Sequence, residues 1–126
     1  MNADRAETIL VAEDEPGMLD LVVTILTESG YDVFSAADGE EALGQFRTHQ
    51  ELLDLVMLDA MMPKKNGKEV YLEIRRMQPL MKVIFMSGYT GDMLGMEDRK
   101  DRCLYFLQKP VLPSAILKKI QDVLHE

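Results

Sequence analysis

Glu13, Asp14, Asp59, Ser87 and Lys109 are the side chains of this sequence whose types could do chemistry together, and each stands at or just past the end of a short apolar run. Three carboxylates brought to one place repel one another, and a hard divalent cation removes that repulsion. A set of carboxylates, a backbone carbonyl and waters is what Mg2+ accepts, with Mn2+ as the alternative ion. A carboxylate beside such a cation can act as a nucleophile toward a phosphoryl group, provided the charge on the equatorial oxygens is neutralised during transfer. The cation and Lys109 would do this together. Ser87 offers a short hydroxyl to a phosphoryl oxygen, whereas His49 and His125 lie away from these positions, so no base is placed to deprotonate a substrate hydroxyl. Phosphoryl capture by a carboxylate fits these residues better than general acid–base catalysis.

The elements that must position them follow from the hydrophobic pattern. Five runs, 9–12, 33–36 (broken by Ser35), 55–58, 83–86 and 104–107, are apolar at consecutive positions instead of alternating. Such runs suit strands of a parallel sheet covered on both faces. Between them lie stretches with helical spacing. Over 16–29, Met18, Leu21, Val22, Ile25 and Leu26 share a face before Gly30 ends the helix. A second helix, about 38–47, opens with Asp38 and Glu41 at capping-box spacing and buries Leu43 and Phe46. A third, about 68–77, carries Val70, Tyr71 and Ile74 and stops before Pro79. The stretch 91–102 holds two glycines and a charged run, so a short or mobile fourth helix is expected there. The last, about 113–124, begins with proline and presents Ile116, Leu117, Ile120, Val123 and Leu124. Strand–helix units with right-handed crossovers predict an open α/β sheet with helices on both faces. In the order 2-1-3-4-5, Glu13, Asp14 and Asp59 meet at the topological switch point, where such sheets bind ligands.

Bulk properties narrow the function. A chain of 126 residues, 47% hydrophobic, has the size and composition of one domain with a real core. Its 22 acidic and 14 basic side chains give a formal charge of -8, which opposes direct nucleic-acid binding. Cys103 is the single cysteine, which excludes an intrachain disulfide or cysteine metal site and suits a reducing compartment. It reads as a small, partly buried apolar residue. Residues 1–7 form a polar arm expected to be poorly ordered, and no apolar run would serve as a signal peptide or bilayer span. The expected location is cytoplasmic without membrane contact, although a parent protein could be membrane-anchored.

Four segments, ILVAEDE (9–15), DLVMLDAMMPKKNG (54–67), VIFMSGYT (83–90) and FLQKP (106–110), resemble the receiver domains of two-component response regulators. Four such matches in the right order and at the right intervals make an accidental likeness very improbable. The resemblance implies a flavodoxin-like doubly wound (βα)5 fold forming a single receiver domain over 1–126. It implies Asp59 as the phospho-acceptor, Glu13 and Asp14 as the metal-binding acidic pair, and Met61 as the position whose backbone carbonyl joins the metal shell. Ser87 resembles the family's switch hydroxyl, Phe106 its switch aromatic, and Lys109 the lysine that contacts the phosphoryl group, with Pro110 after what is commonly a cis peptide. Met61 and Tyr89 stand where the family tunes dephosphorylation, and their bulk here implies slow loss of phosphate. The implied donor is a histidine kinase or histidine phosphotransfer protein, and the implied output is a protein-interaction surface switched between two conformations. A monomer or a weak phosphorylation-dependent dimer is expected. The SGYT and FLQKP wording resembles receivers attached to hybrid sensor histidine kinases.

Some positions depart from the family pattern. Glu13 replaces the commoner aspartate and adds a methylene, so Asp14 is expected to be the closer metal ligand and Glu13 to take a supporting or water-mediated place. Phe106 lacks the hydroxyl of the more usual tyrosine, leaving packing alone to separate its states. Met57 and Met86 read as core filling, Lys64 and Lys65 as solvated turn lysines, and His49 as a surface histidine at a polar helix end. Two other readings compete. A Mg2+-dependent phosphohydrolase with Asp59 as nucleophile would want a second acid just beyond it, where Ala60, Met61, Met62 and Pro63 stand. A pseudo-receiver would have lost the acceptor, a metal acid or the lysine, and all are present.

Overall fold

The computed structural model describes residues 6–88 and 101–125, and in them each consecutive apolar run becomes a parallel strand. The strands are β1 (Thr8–Ala12), β2 (Asp32–Ala36), β3 (Leu55–Asp59), β4 (Val83–Ser87) and β5 (Leu104–Gln108). The helices among the described residues are α1 (Pro16–Glu28), α2 (Gly39–His49), α3 (Gly67–Met77) and α4 (Pro113–Leu124). Asp59 and Ser87 close their strands instead of following them. The helix expected over 91–102 and the positions of Tyr89, Met93 and Met96 lie outside the described residues, apart from Asp101 and Arg102, which are not helical.

The sheet order is β2-β1-β3-β4-β5, as expected. Side chains alternate across each strand, so each face collects every second residue. Ile9, Val11, Leu55, Met57, Ile84 and Met86 meet Val22 and Leu26 of α1 and Ile116, Ile120 and Val123 of α4. Leu10, Ala12, Val56, Leu58, Val83 and Phe85 meet Ala42, Leu43 and Phe46 of α2 and Val70, Tyr71 and Ile74 of α3. Both faces being covered, β1, β3 and β4 are buried at every position, which is why their sequences do not alternate. Full coverage does not extend to the edges: β2 and β5 each have one strand neighbour and are partly exposed.

Local chemistry sets the helix ends. The Glu15 side chain caps α1 by accepting from the Gly17 and Met18 N–H groups, and Gly30 takes φ 95°, a left-handed turn suited to glycine. Helical spacing placed Leu21 inward, but it is 43% exposed, and Leu19 packs on the core. Asp38 caps α2 through the Glu41 N–H while the Glu41 carboxylate reaches back to the Ala37 N–H. The helix runs on to His49, whose ring stacks on Phe34 at 3.8 Å and so is not simply a surface histidine. Asn66 and Glu69 form a full capping box on α3, for which Asn-x-x-Glu is the signal in the sequence. Glu7, assigned to the arm, is tied by its carbonyl to the Asp32 N–H at 3.0 Å. At the far end of α3 the Arg75 guanidinium bonds Asp101 and the carbonyls of Gln78, Met81 and Cys103, and Tyr71 donates to the same Asp101 carboxylate.

Two glycines test this packing in opposite directions. A Cβ at Gly67 would lie 2.3 Å from the Asp59 carbonyl oxygen, whereas one at Gly44, within α2, would meet nothing within 4 Å. Gly67→Ala is expected to lower the free energy of unfolding by ~2 kcal/mol or more, and Gly44→Ala to raise it by ~0.5–1 kcal/mol. Urea unfolding of the two variants checks both, and an unchanged Gly67→Ala would contradict the close approach.

Candidate functional site

Winding reverses between β1 and β3, and the crevice beyond their carboxyl ends is where open α/β sheets bind ligands. Strand register alone fills it. Ala12 stands opposite Leu58, so Glu13 and Asp59, the next residues of their chains, emerge side by side. Asp59 stands opposite Met86, which brings Ser87 next, and Ser87 stands opposite Gln108, which brings Lys109. The Lys109 N–H donates to the Ser87 carbonyl at 2.8 Å, and the Lys109–Pro110 peptide is cis.

The side chains then converge. Glu13, Asp14 and Asp59 each offer a carboxylate oxygen within 4.8 Å of the others. The Lys109 ammonium lies 2.8 Å from Glu13 Oε1 and 3.0 Å from Asp59 Oδ1. Ser87, Glu13 and Asp59 are buried, at 0%, 1% and 4% exposure. Asp14 stands exposed at the rim. Glu13, given the supporting place on the sequence, is therefore the more enclosed acid of the pair. Its added methylene reaches Lys109, its second oxygen accepts from the Glu15 N–H at 3.1 Å, and it is no solvated loop acid.

Electrostatics follow from that enclosure. Burial pushes the Asp59 carboxyl up to about 7, with the Glu13 carboxylate adding to the rise and Lys109 opposing it. Burial works to raise Glu13 too, yet the hydrogen bonds from Lys109 and the Glu15 N–H hold it below its usual value. Lys109 is raised: burial works against its charge, but Glu13 and Asp59 outweigh that. One ammonium thus serves two enclosed carboxylates, and of the two it is Asp59 whose charged form is disfavoured. The donor atoms are all oxygens, with no thiolate or imidazole among them, which suits a hard divalent ion.

Other residues singled out on the sequence sit around this centre or apart from it. Met61 lies on the β3–α3 loop with its side chain 63% exposed. Phe106 is half-buried on the α2/α3 side of the sheet and meets Phe85 edge-on, with ring centroids 6.3 Å apart. Met57 and Met86 are core residues. Lys64 and Lys65 are paired, not merely solvated: Lys64 lies 3.4 Å from Asp38 and Lys65 2.9 Å from Glu73. Glu15 and Gly67 went unnoticed on the sequence. The signal for Glu15 was a polar residue directly before Pro16, which is the usual place of a helix cap.

Comparison with known proteins agrees with this geometry. A family model described as the response regulator receiver domain matches residues 9–121. The chain is 38% identical over 122 residues to the probable transcriptional regulator ycf27 of Porphyridium aerugineum, covering 95% of this chain and 49% of that protein. It is 33% identical over 119 residues to the alkaline phosphatase synthesis transcriptional regulatory protein PhoP of Bacillus subtilis (strain 168), covering 92% of this chain and 48% of that one. It thus spans about half the length of these curated relatives. A solved structure of a response regulator receiver domain protein from Clostridium thermocellum matches it with a TM-score of 0.83 and 28% identity, over 94% of each chain. The match over most of the chain, joined to a parallel 2-1-3-4-5 sheet, places this protein in the response regulator receiver-domain family of two-component signalling.

Proposed function

We propose that Asp59 accepts a phosphoryl group from a histidine kinase or histidine phosphotransfer protein in a Mg2+-dependent reaction, and that this switches a protein-binding surface. The observation that carries the reading is the enclosed Asp59 carboxylate beside the Lys109 ammonium, within 4.8 Å of the oxygens of Glu13 and Asp14. Glu13, Asp14, Asp59 and the Met61 carbonyl would hold the ion. Bound Mg2+ would supply neutralising charge to the phosphoryl oxygens. An Asp59 oxygen forms the bond to phosphorus as the donor's P–N bond breaks, and the imidazole leaves. Lys109, which lies between Glu13 and Asp59, would take a phosphoryl oxygen, and the Ser87 hydroxyl would hydrogen-bond another. Phe106, packed edge-on against Phe85, would respond through packing alone.

The chain acts as a phospho-acceptor and not as an enzyme on diffusible substrates: Ala60, Met61, Met62 and Pro63 after Asp59 offer no second acid to protonate a leaving group. A protein partner reads the switched surface, with the domain monomeric or weakly dimeric when phosphorylated. Its charge of -8 opposes direct contact with DNA. No helix among the described residues is long and apolar enough to cross a membrane, and the reading as a partner of a histidine kinase or phosphotransfer protein assigns the domain to the cytoplasm.

Intact mass after incubation with acetyl phosphate and Mg2+ is expected to rise by one phosphoryl group, and the gain should vanish in Asp59→Asn and in EDTA. Steady turnover of a small phosphate ester would favour the hydrolase instead. Bulk at Met61 and Tyr89 predicts a phosphorylated form that persists for many minutes, and a half-life of seconds in Mg2+ buffer would refute that. The metal-free protein carries a pH signature. Between the ordinary carboxylate value of 3.8 and about 7 the native state keeps a proton on Asp59 that the unfolded chain has lost. Stability conferred by that proton is complete below 3.8 and is lost as pH rises through about 7. Urea unfolding at a series of pH values, wild type minus Asp59→Asn, should fall across that window, and a flat difference would contradict the raised carboxyl.

A further inference from the structure

The two sides of the acidic crevice meet a third segment that supplies none of its acids, the β2–α2 connection from Ala36 to Gly39. The Ala36 carbonyl accepts from the Glu13 N–H at 3.0 Å, which fixes the turn leaving β1. Three residues on, the Gly39 N–H donates to the Pro63 carbonyl at 3.3 Å. A Cβ at Gly39 would lie 1.9 Å from the Lys65 carbonyl oxygen, so the loop that follows Asp59 rests directly on the first residue of α2. Asp38 adds a tie to Lys64 at 3.4 Å, and Lys64 holds φ 70°, a left-handed backbone that a non-glycine residue keeps only under constraint. Gly67 secures the loop's exit by donating to the Ala60 carbonyl at 3.0 Å.

We propose that Gly39 is a positioning residue for the metal shell: through it, the β2–α2 connection sets the spacing between the Glu13 side of the crevice and the loop that carries Met61. The inference rests on the metal-dependent reading given above. Any side chain at position 39 must drive the Lys65 carbonyl outward by about 1 Å, a displacement large enough to spoil a polar site. Asp38 and Lys64 act in the same direction more weakly, because their ion pair is partly exposed.

Mg2+ affinity of the full chain, followed by NMR titration of backbone amides, tests this. Gly39→Ala should weaken Mg2+ binding about tenfold, and phosphorylation by acetyl phosphate should fall at limiting Mg2+ and recover at saturating Mg2+. Lys64→Ala, which removes the tie without a clash, should weaken binding less, and Gly44→Ala on the same helix should leave it at the wild-type value. A purely structural glycine would lower the melting temperature while the folded variant bound Mg2+ normally. Wild-type affinity in folded Gly39→Ala overturns the positioning role, and if that variant does not fold, wild-type affinity in Lys64→Ala overturns it. A wild-type protein that binds no Mg2+ overturns the metal-dependent reading, and this inference with it.

Discussion

One ammonium lodged between two enclosed carboxylates is the constraint around which the domain is arranged. Removing Glu13 and Asp59 from water is unfavourable; hydrogen bonds from Lys109 and the Glu15 N–H outweigh this at Glu13, whereas at Asp59 Lys109 offsets only part of it. Replacing buried ion pairs by apolar residues of similar volume is often neutral or stabilising, so such a cluster is weak evidence of a structural role. A cluster of this kind at the carboxyl edge of a sheet points to function, since burial and neighbouring charge hold one carboxyl out of its ordinary range. The apolar layers on the two faces of the sheet make that cost bearable.

Positions at the ends of apolar runs could be read without coordinates because strand length in a covered parallel sheet is set by those runs. Once β1, β3, β4 and β5 align, Glu13, Asp59, Ser87 and Lys109 have no freedom to lie elsewhere. Periodicity also named the inward residues of α2, α3 and α4. It failed at the level of single side chains. A helical stripe defines a face only to within a residue, so Leu21 and Leu19 exchanged places on α1.

Other misses arose where the outcome depends on a partner distant in sequence. Whether Glu13 is a rim acid or the enclosed counter-ion of Lys109 turns on the path of a side chain 96 positions away. Pairing of Lys64 with Asp38 and of Lys65 with Glu73 depends on how the β3–α3 loop leans on α2, and the stacking of His49 on Phe34 depends on which edge β2 occupies. Polar surface residues carry no periodic signal, and only tertiary placement decides their partners.

The central place of β1 bears on how the chain assembles. Its first strand lies between β2 and β3, and Ile9 pairs with Leu55 across 46 positions of sequence. Closing so long a loop costs entropy before any hydrogen bond of that ladder is gained. Parallel ladders joined across such separations have high contact order, which slows folding. The crevice between β1 and β3 is thus also the seam between strands far apart along the chain.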